Sequence, residues 1–181
     1  MITGNGNPPA FLSFRVVPDR AGVVFVAHSS AGAITFGATG IEGSIEAEVD
    51  GDAVVSTRVP PAARLEVPIE KLTSGNQIYD AELLRRVDAR LYPNAVVQLR
   101  LVSPVGGTGR YHVEGDLTFH GVTQAMAGTV SVSFPSPERM VVEGEQVLDM
   151  RLFQINPPTV AMLRIYPDVR VQLHVEARTE G

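Results

Sequence analysis

The segment from Tyr111 to His120 alternates strictly between apolar and polar residues. Side chains on a β-strand point to opposite faces in turn, so this pattern predicts a strand with one apolar face and one wet face. The strand exceeds the usual five or six residues and ends in His120-Gly121, which predicts a tight turn. A closed β-barrel is built from successive long strands of this kind, and a barrel with an apolar interior can enclose an apolar ligand.

The same alternation recurs along most of the chain, and short turns separate the segments. Asp50-Gly51 in particular is a hairpin signal. Further strands are predicted at Val23–Ala27, Ile41–Asp50, Val54–Val59, Leu65–Ile69, Val97–Leu101, Val130–Phe134, Met140–Leu148 and Val169–Ala177.

One segment follows the period of a helix instead. Between Asp80 and Leu91 the apolar residues Leu83, Val87 and Leu91 are spaced at i, i+4 and i+8, which predicts a helix of about three turns. Asp80 is the expected N-cap, and Pro93 is expected to end the helix.

These elements predict an all-β fold with one short inserted helix. No helices alternate with the strands, which argues against a parallel α/β sheet. Long strands joined by short turns favour an up-and-down antiparallel barrel with the helix covering one end, although alternation alone leaves a β-sandwich open. Residues 1–12 are expected to form a flexible arm, and residues 13–178 a single domain.

Composition narrows the classes of function. With 44% hydrophobic residues, 19% charged residues and a net charge of −5, the chain should be globular and should not bind nucleic acid. It contains no Cys, which excludes disulfides and thiolate chemistry. The N-terminus lacks the features of a secretory signal, so we expect a cytoplasmic protein, or a periplasmic or secreted one if a leader has been removed. The longest apolar run, 21–27, is too short to cross a bilayer.

Candidate catalytic and metal-binding residues are sparse. The four His residues do not fall at the spacing of a metal site, and no Gly-x-Ser-x-Gly nucleophile elbow is present. His112 and His174 fall on the polar faces of their strands and are expected at the surface. His120 lies in a turn, where it can bond to the backbone or supply a polar group at a cavity rim.

Two charged sets have a structural and a functional interpretation. The arginines on the predicted helix, Arg85, Arg86 and Arg90, can pair with Glu82 and Asp88, or they can attract a phosphate head group near a barrel mouth. Asp149 and Arg151 share one face of a strand and can form an ion pair or contact a ligand's polar head.

Several segments, taken in order, resemble the YceI-like family. They are GATGIEGSIEAEVDG (37–51), the long segment 65–102 that ends the helix in Tyr-Pro, GRYHVEGDLTFHGVTQAMAGTVSV (109–132), VLDMRLFQINPP (147–158) and VRVQLHVEA (169–177). The most specific of these motifs is Leu-Thr-x-His-Gly-Val-Thr at 117–123. The resemblance covers roughly residues 13–178.

The resemblance implies a lipocalin-like antiparallel barrel whose apolar cavity holds a polyisoprenoid or another long-chain amphipathic lipid. We expect binding without catalysis and without a cofactor, and the residue spacing predicts no metal site. The sequence leaves open whether the chain forms a homodimer. His120 and Arg151 are the candidates for a polar rim. The expected lining residues are Phe25, Ile45, Val67, Ile69, Leu99, Leu101, Leu117, Phe119, Val171 and Leu173.

Two other functions remain open from the sequence. One is an enzyme acting on a lipid, in which His120, Asp149 or Arg151 would serve as acid–base groups. The other is an interaction module whose barrel is packed solid, because alternation does not distinguish a filled barrel from a hollow one.

Overall fold

Strands form most of the protein, as seen in a computed structural model that describes residues 7–160 and 162–181, apart from the side chains of Leu101 and Val160. The strands are β1 (Ala10–Ser29), β2 (Gly32–Thr39), β3 (Glu42–Asp50), β4 (Ala53–Val55), β5 (Ala62–Pro68), β6 (Asn94–Pro104), β7 (Arg110–Phe119), β8 (Val122–Ser136), β9 (Arg139–Asp149), β10 (Thr159–Val160) and β11 (Leu163–Thr179). A helix, α1 (Gln77–Arg86), and two short 3₁₀ turns, Ile69–Lys71 and Met150–Phe153, complete the described elements.

Eight of the strands close into a barrel. Their order around the wall is β1, β3, β5, β6, β7, β8, β9 and β11, and β11 pairs with β1 again. Every pairing is antiparallel. The expected antiparallel barrel with one inserted helix is therefore confirmed, and the closure of the sheet rules out the sandwich.

Strand β1 is long enough to have two neighbours on one side. Its first half, Ala10 to Arg15, pairs with β3, and its second half, Gly22 to Ser29, pairs with β2. Because β3 pairs with only the first half of β1, β2 takes its place beside the second half, and α1 covers that end of the barrel. The expectation of a flexible arm over residues 1–12 was wrong for residues 10–12, which belong to β1, and its residues 1–6 lie outside the described part of the chain.

The end of the barrel at which β1 begins, which we term the lower end, is packed solid. Phe14, Tyr111 and Met140 are almost completely buried there, and the ring centroids of Phe14 and Phe134 lie 6.1 Å apart. The backbone N–H of Val54 donates to the Tyr111 hydroxyl over 2.8 Å. The opposite, upper end is covered by α1, β2 and the 3₁₀ turn Met150–Phe153.

The helix begins and ends earlier than the sequence predicted. Asn76 is the N-cap, and its side-chain oxygen accepts hydrogen bonds from the next turn, so the expectation that Asp80 caps the helix was wrong. Asp80 instead accepts hydrogen bonds from Thr73 and Ser74. Pro93 does not end the helix either, because the chain turns left-handed at Asp88, where φ is +48°. Leu91, expected on the buried face, is 64% exposed.

The strand predicted at Val54–Val59 was also wrong beyond Val55, because β4 stops there. The backbone N–H groups of Thr57 and Arg58 donate to the buried carboxylate of Glu48 instead of to a neighbouring strand. Arg58 adds an ion pair of 2.9 Å to the same carboxylate. The Arg58 backbone N–H, the Arg58 side chain and Thr57 together lower the pKa of Glu48 to about 2, against the cost of burial.

Candidate functional site

The middle of the barrel contains an apolar chamber of about 180 Å³. Inward-facing residues of the barrel strands line it, because alternate residues of each strand point to the interior. The aliphatic and aromatic lining includes Val23, Phe25, Ile45, Val54, Leu65, Val67, Ile69, Val97, Leu99, Val113, Leu117, Phe119, Met126, Val130, Met140, Val142, Leu148, Val171, Leu173 and Val175.

A second apolar chamber of about 100 Å³ lies above the first, beneath α1. Four side chains line both chambers and mark the boundary between them; they are Phe25, Phe119, Leu148 and Val171. The two spaces therefore follow one another along the barrel, from the middle of the interior to its upper end.

The sequence-predicted lining residues converge on this space. All of those with described side chains contribute to the middle chamber; they are Phe25, Ile45, Val67, Ile69, Leu99, Leu117, Phe119, Val171 and Leu173. The side chain of Leu101 lies outside the described part of the chain, and its backbone pairs with Glu114 in the wall.

Sequence reasoning missed most of the upper chamber. It is lined by Tyr79 and Leu83 of α1, by Val87 at the C-cap of α1, and by Phe153 and Ile155 at and just after the 3₁₀ turn. The helical spacing of Leu83 and Val87 was a usable signal for a buried face, but nothing in that spacing says which end of a barrel the face covers. In the middle chamber, sequence reasoning also missed lining residues on β8 and β9, such as Val130 and Val142. These residues follow the same alternation that predicted the two strands, so the sequence contained a signal for them.

Polar groups at the two chambers are few. Glu82 and Arg86 border the upper chamber, and they are joined by an ion pair of 2.8 Å. Arg85 also bonds Glu82, and these hydrogen bonds from Arg86 and Arg85 hold the pKa of Glu82 below its ordinary value. The structure therefore favours helix-surface pairing for these arginines. Gln146 borders the middle chamber.

The two polar rim candidates lie elsewhere. The Nδ1 of His120 is 2.9 Å from the carbonyl oxygen of Phe153, so it holds the 3₁₀ turn to the β7–β8 hairpin. Arg151 forms an ion pair of 2.8 Å with Asp149, and hydrogen bonds from Arg151 lower the pKa of that carboxyl. Neither His120 nor Arg151 contributes to the lining of the two chambers.

Two other histidines lie on the polar faces of their strands. His174 is exposed and pairs with Glu143 on the adjacent strand β9, and His112, which is partly exposed, pairs with Glu114 on its own strand. Both are therefore surface residues, as expected. Across residues 7–160 and 162–181, no three His, Asp or Glu side chains are grouped closely enough to hold a metal ion. In the same part of the chain, no helix has the length and apolar character needed to cross a membrane.

Solved structures share this fold. The Burkholderia cenocepacia protein BcnA superposes with a TM-score of 0.73 at 16% identity, covering 89% of this chain and 98% of that one. A polyisoprenoid-binding domain from Saccharophagus degradans gives 0.76 at 16% identity, with 93% and 99% covered. A Campylobacter jejuni YceI protein gives 0.53 at 15% identity, with 66% and 72% covered. At these identities the likeness concerns the fold.

Sequence comparison is more specific. No curated protein matches the sequence significantly. The model of the YceI-like domain family, however, matches residues 14–177, which run from β1 to β11 and include every strand of the barrel wall. The chain therefore belongs to the YceI-like family.

Proposed function

We propose that this protein binds a long-chain amphipathic lipid, most specifically a polyisoprenoid, in the barrel interior and without catalysis. The observation that carries the proposal is the pair of stacked apolar chambers inside the barrel. Support for the ligand class comes from the family and from the polyisoprenoid-binding domain of Saccharophagus degradans, whose fold is similar.

The size of the chambers limits how much of a lipid they hold. A cavity of about 150 Å³ is known to accommodate a benzene ring, so chambers of about 180 and 100 Å³ have room for on the order of ten carbons. Burial of ten CH₂ groups at about 0.8 kcal/mol each supplies roughly 8 kcal/mol before entropy losses. A longer isoprenoid would leave part of its chain outside these chambers.

The two rival functions receive less support. A solid interaction module would have a filled interior, whereas this barrel has two chambers. A lipid-modifying enzyme would need acid–base groups that converge on the chambers. His120, Asp149 and Arg151 are bonded elsewhere, and Glu82 is paired with two arginines. Glu145, at the middle chamber, is bonded to Gln172 and lies 3.5 Å from Arg170.

A bulky substitution in the lining separates a binding cavity from a packed core. Leu117 is buried and lines the middle chamber, so Leu117→Trp should fill space that a ligand needs. We expect the parent to take up dansyl-undecanoic acid and the variant to lose that uptake with an unchanged melting temperature. Overpacking a solid core would instead destabilise the protein by about 1 to 3 kcal/mol.

The matched control is Gln98→Trp, which places the same side chain on the exposed face of the neighbouring strand β6. It should bind the dansyl probe as the parent does. A parent that binds no probe, together with a Leu117→Trp variant that loses stability, would show that the barrel is packed solid and would overturn the proposal.

A further inference from the structure

The barrel wall is incomplete between β8 and β9. Their continuous ladder runs from Ser133 and Val141 up to Val130 and Gly144, and no pair follows above that point in either described strand. Both strands nevertheless continue: β8 stays paired with β7 as far as Val122, and β9 stays paired with β11 as far as Asp149. The two strands therefore separate within the wall, and the sheet does not simply end there.

This gap, which we call the slot, lies between residues 125–129 of β8 and residues 145–149 of β9. At about 3.4 Å per residue it is roughly 17 Å long. It is bounded below by the Val130–Gly144 pair. It is bounded above by the 3₁₀ turn, because the side-chain amide of Gln124 donates to the carbonyl oxygen of Leu152 over 2.9 Å.

The middle chamber reaches the slot. Met126 and Leu148, which face inward, line the chamber from opposite edges of the slot. Ala127, Thr129 and Glu145 also border the chamber, although they occupy the outward-facing positions of their strands. The ladder between β8 and β9 is open at these positions, so the contact of these outward-facing residues with the chamber indicates that the slot connects it with the outside.

Gln146 lies across this opening. If the ladder continued, Gln146 would face Gly128, and its Oε1 atom is 2.9 Å from where a Cβ on Gly128 would be. The lack of a side chain on Gly128 thus leaves room for the Gln146 amide. That amide makes no hydrogen bond with any residue in the described part of the chain, so it is free to bond a ligand's polar group.

The two ends of the barrel are less open. Phe14, Tyr111 and Met140 fill the lower end. At the upper end, Leu83 of α1 and its C-cap residue Val87 pack on the core. The segment leading to α1 is bonded to β2 by two backbone hydrogen bonds between Gly37 and Thr73, 2.9 and 3.1 Å long. The surface beside the slot, in contrast, carries Val147 and Leu152, which are 55% and 56% exposed.

We propose that the slot between β8 and β9 is the passage through which an amphipathic chain enters and leaves the barrel, with Gln146 as the polar contact for the ligand's head at the opening. This inference rests on the proposed function and deepens it. A ligand longer than the chambers extends outward through the slot, so its apolar chain is buried while its polar end remains near Gln146 and water.

The first test measures access without any lipid. The sequence contains no Cys, so a single introduced thiol is the sole reactive one. Gln146→Cys and Val142→Cys both place a thiol on the inward face of β9, the first at the slot and the second where β9 is paired with β8. We expect an uncharged maleimide to label the thiol at position 146 about tenfold faster or more, since an open passage needs no local unfolding. Equal labelling rates would overturn the passage.

The second test closes the slot. In Ala127→Cys/Val147→Cys, two outward-facing thiols lie on opposite edges of the slot and can be joined by a flexible, reducible cross-linker. The control pair, Ser131→Cys/Glu143→Cys, is joined in the same way where the two strands are already paired. Cross-linking the slot should slow uptake and release of dansyl-undecanoic acid by about tenfold or more, and reduction should restore both rates. The control pair should exchange the probe at the parent's rate.

The outcomes separate this inference from the proposed function. A parent that binds the probe, with equal exchange rates in both cross-linked pairs, would overturn the passage and leave lipid binding intact. A parent that takes up no probe would overturn both. Gln146→Leu should weaken equilibrium binding of dansyl-undecanoic acid more than that of the matching dansyl probe whose chain ends in a methyl group instead of the carboxyl group. Equal weakening of both probes would contradict the role of the Gln146 side chain.

Discussion

At the scale of single residues, backbone conformation determines where the strands turn. His120 and Gly121 connect β7 and β8, and both have positive φ, +53° and +72°. A Cβ on Gly121 would also lie 2.8 Å from ring atoms of Tyr92. Because Gly takes positive φ without strain and leaves this space free, the turn depends on it.

Gly121→Val should therefore destabilise the protein by about 1 to 3 kcal/mol, the usual cost of a strained backbone position. Denaturant unfolding measures the change. Gly107→Val is the control, because Gly107 also has positive φ, +89°, but its Cβ would meet no atom within 4 Å. The control should lose less stability, and an unchanged unfolding midpoint for Gly121→Val would show that the turn does not need Gly.

Glu48 makes the lower end of the barrel sensitive to acid. The hydrogen bonds from Arg58 and Thr57 lower its pKa from 4.5 to about 2 in the folded state. A lowered pKa means that the folded state binds fewer protons than the unfolded one, so this contribution to stability is complete above pH 4.5. It is lost as the pH falls from 4.5 through 2.

Glu48→Gln should accordingly lower the melting temperature at neutral pH and make its fall between pH 4.5 and pH 2 shallower than in the parent. Thermal unfolding at a series of pH values checks this. Thr57→Ala removes only the weakest of these hydrogen bonds and should keep the parent's pH dependence. Parallel acid profiles for the parent and Glu48→Gln would contradict the role assigned to this carboxylate.

At the scale of elements, α1 was predicted to exist, but its limits were wrong. Asn76 and Asp80 are both good cap residues, and the choice between them depends on Thr73 and Ser74, which bind the Asp80 carboxylate. The helix ends when Asp88 and Ala89 donate to the carbonyl oxygens of Arg85 and Leu84, an arrangement in which the residue at C′ is left-handed. Gly usually occupies that position, so its absence hid the end of the helix from sequence analysis.

Whether a substitution of Asp88 raises or lowers the stability of the protein depends on this left-handed backbone conformation. Asp88→Gly should stabilise the protein, because Gly adopts the left-handed conformation without strain, whereas Asp88→Ala should destabilise it. Both variants remove the same exposed carboxylate, and their unfolding free energies should differ by roughly 1 kcal/mol. A more stable Asp88→Ala variant would mean that α1 does not end as described.

At the scale of the whole molecule, alternation predicted the strands and the residues that share a face, and the family resemblance added the hollow barrel. Residues such as Leu99, Leu117 and Leu173 share faces with period two, and a closed wall brings those faces together. The slot was not predictable, since β8 and β9 keep their alternation where they separate. Whether two strands pair depends on contacts between residues far apart in the sequence, and no local pattern contains those contacts.

The measurement that tests the central claim most directly is a native mass spectrum of protein purified without detergent. We predict a population heavier than the mass of the chain, and we predict that organic extraction removes this excess and releases a long-chain lipid into the organic phase. The chain mass alone before extraction, with no lipid in the extract and no uptake of an added isoprenoid alcohol, would contradict the account of a hollow lipid-binding barrel.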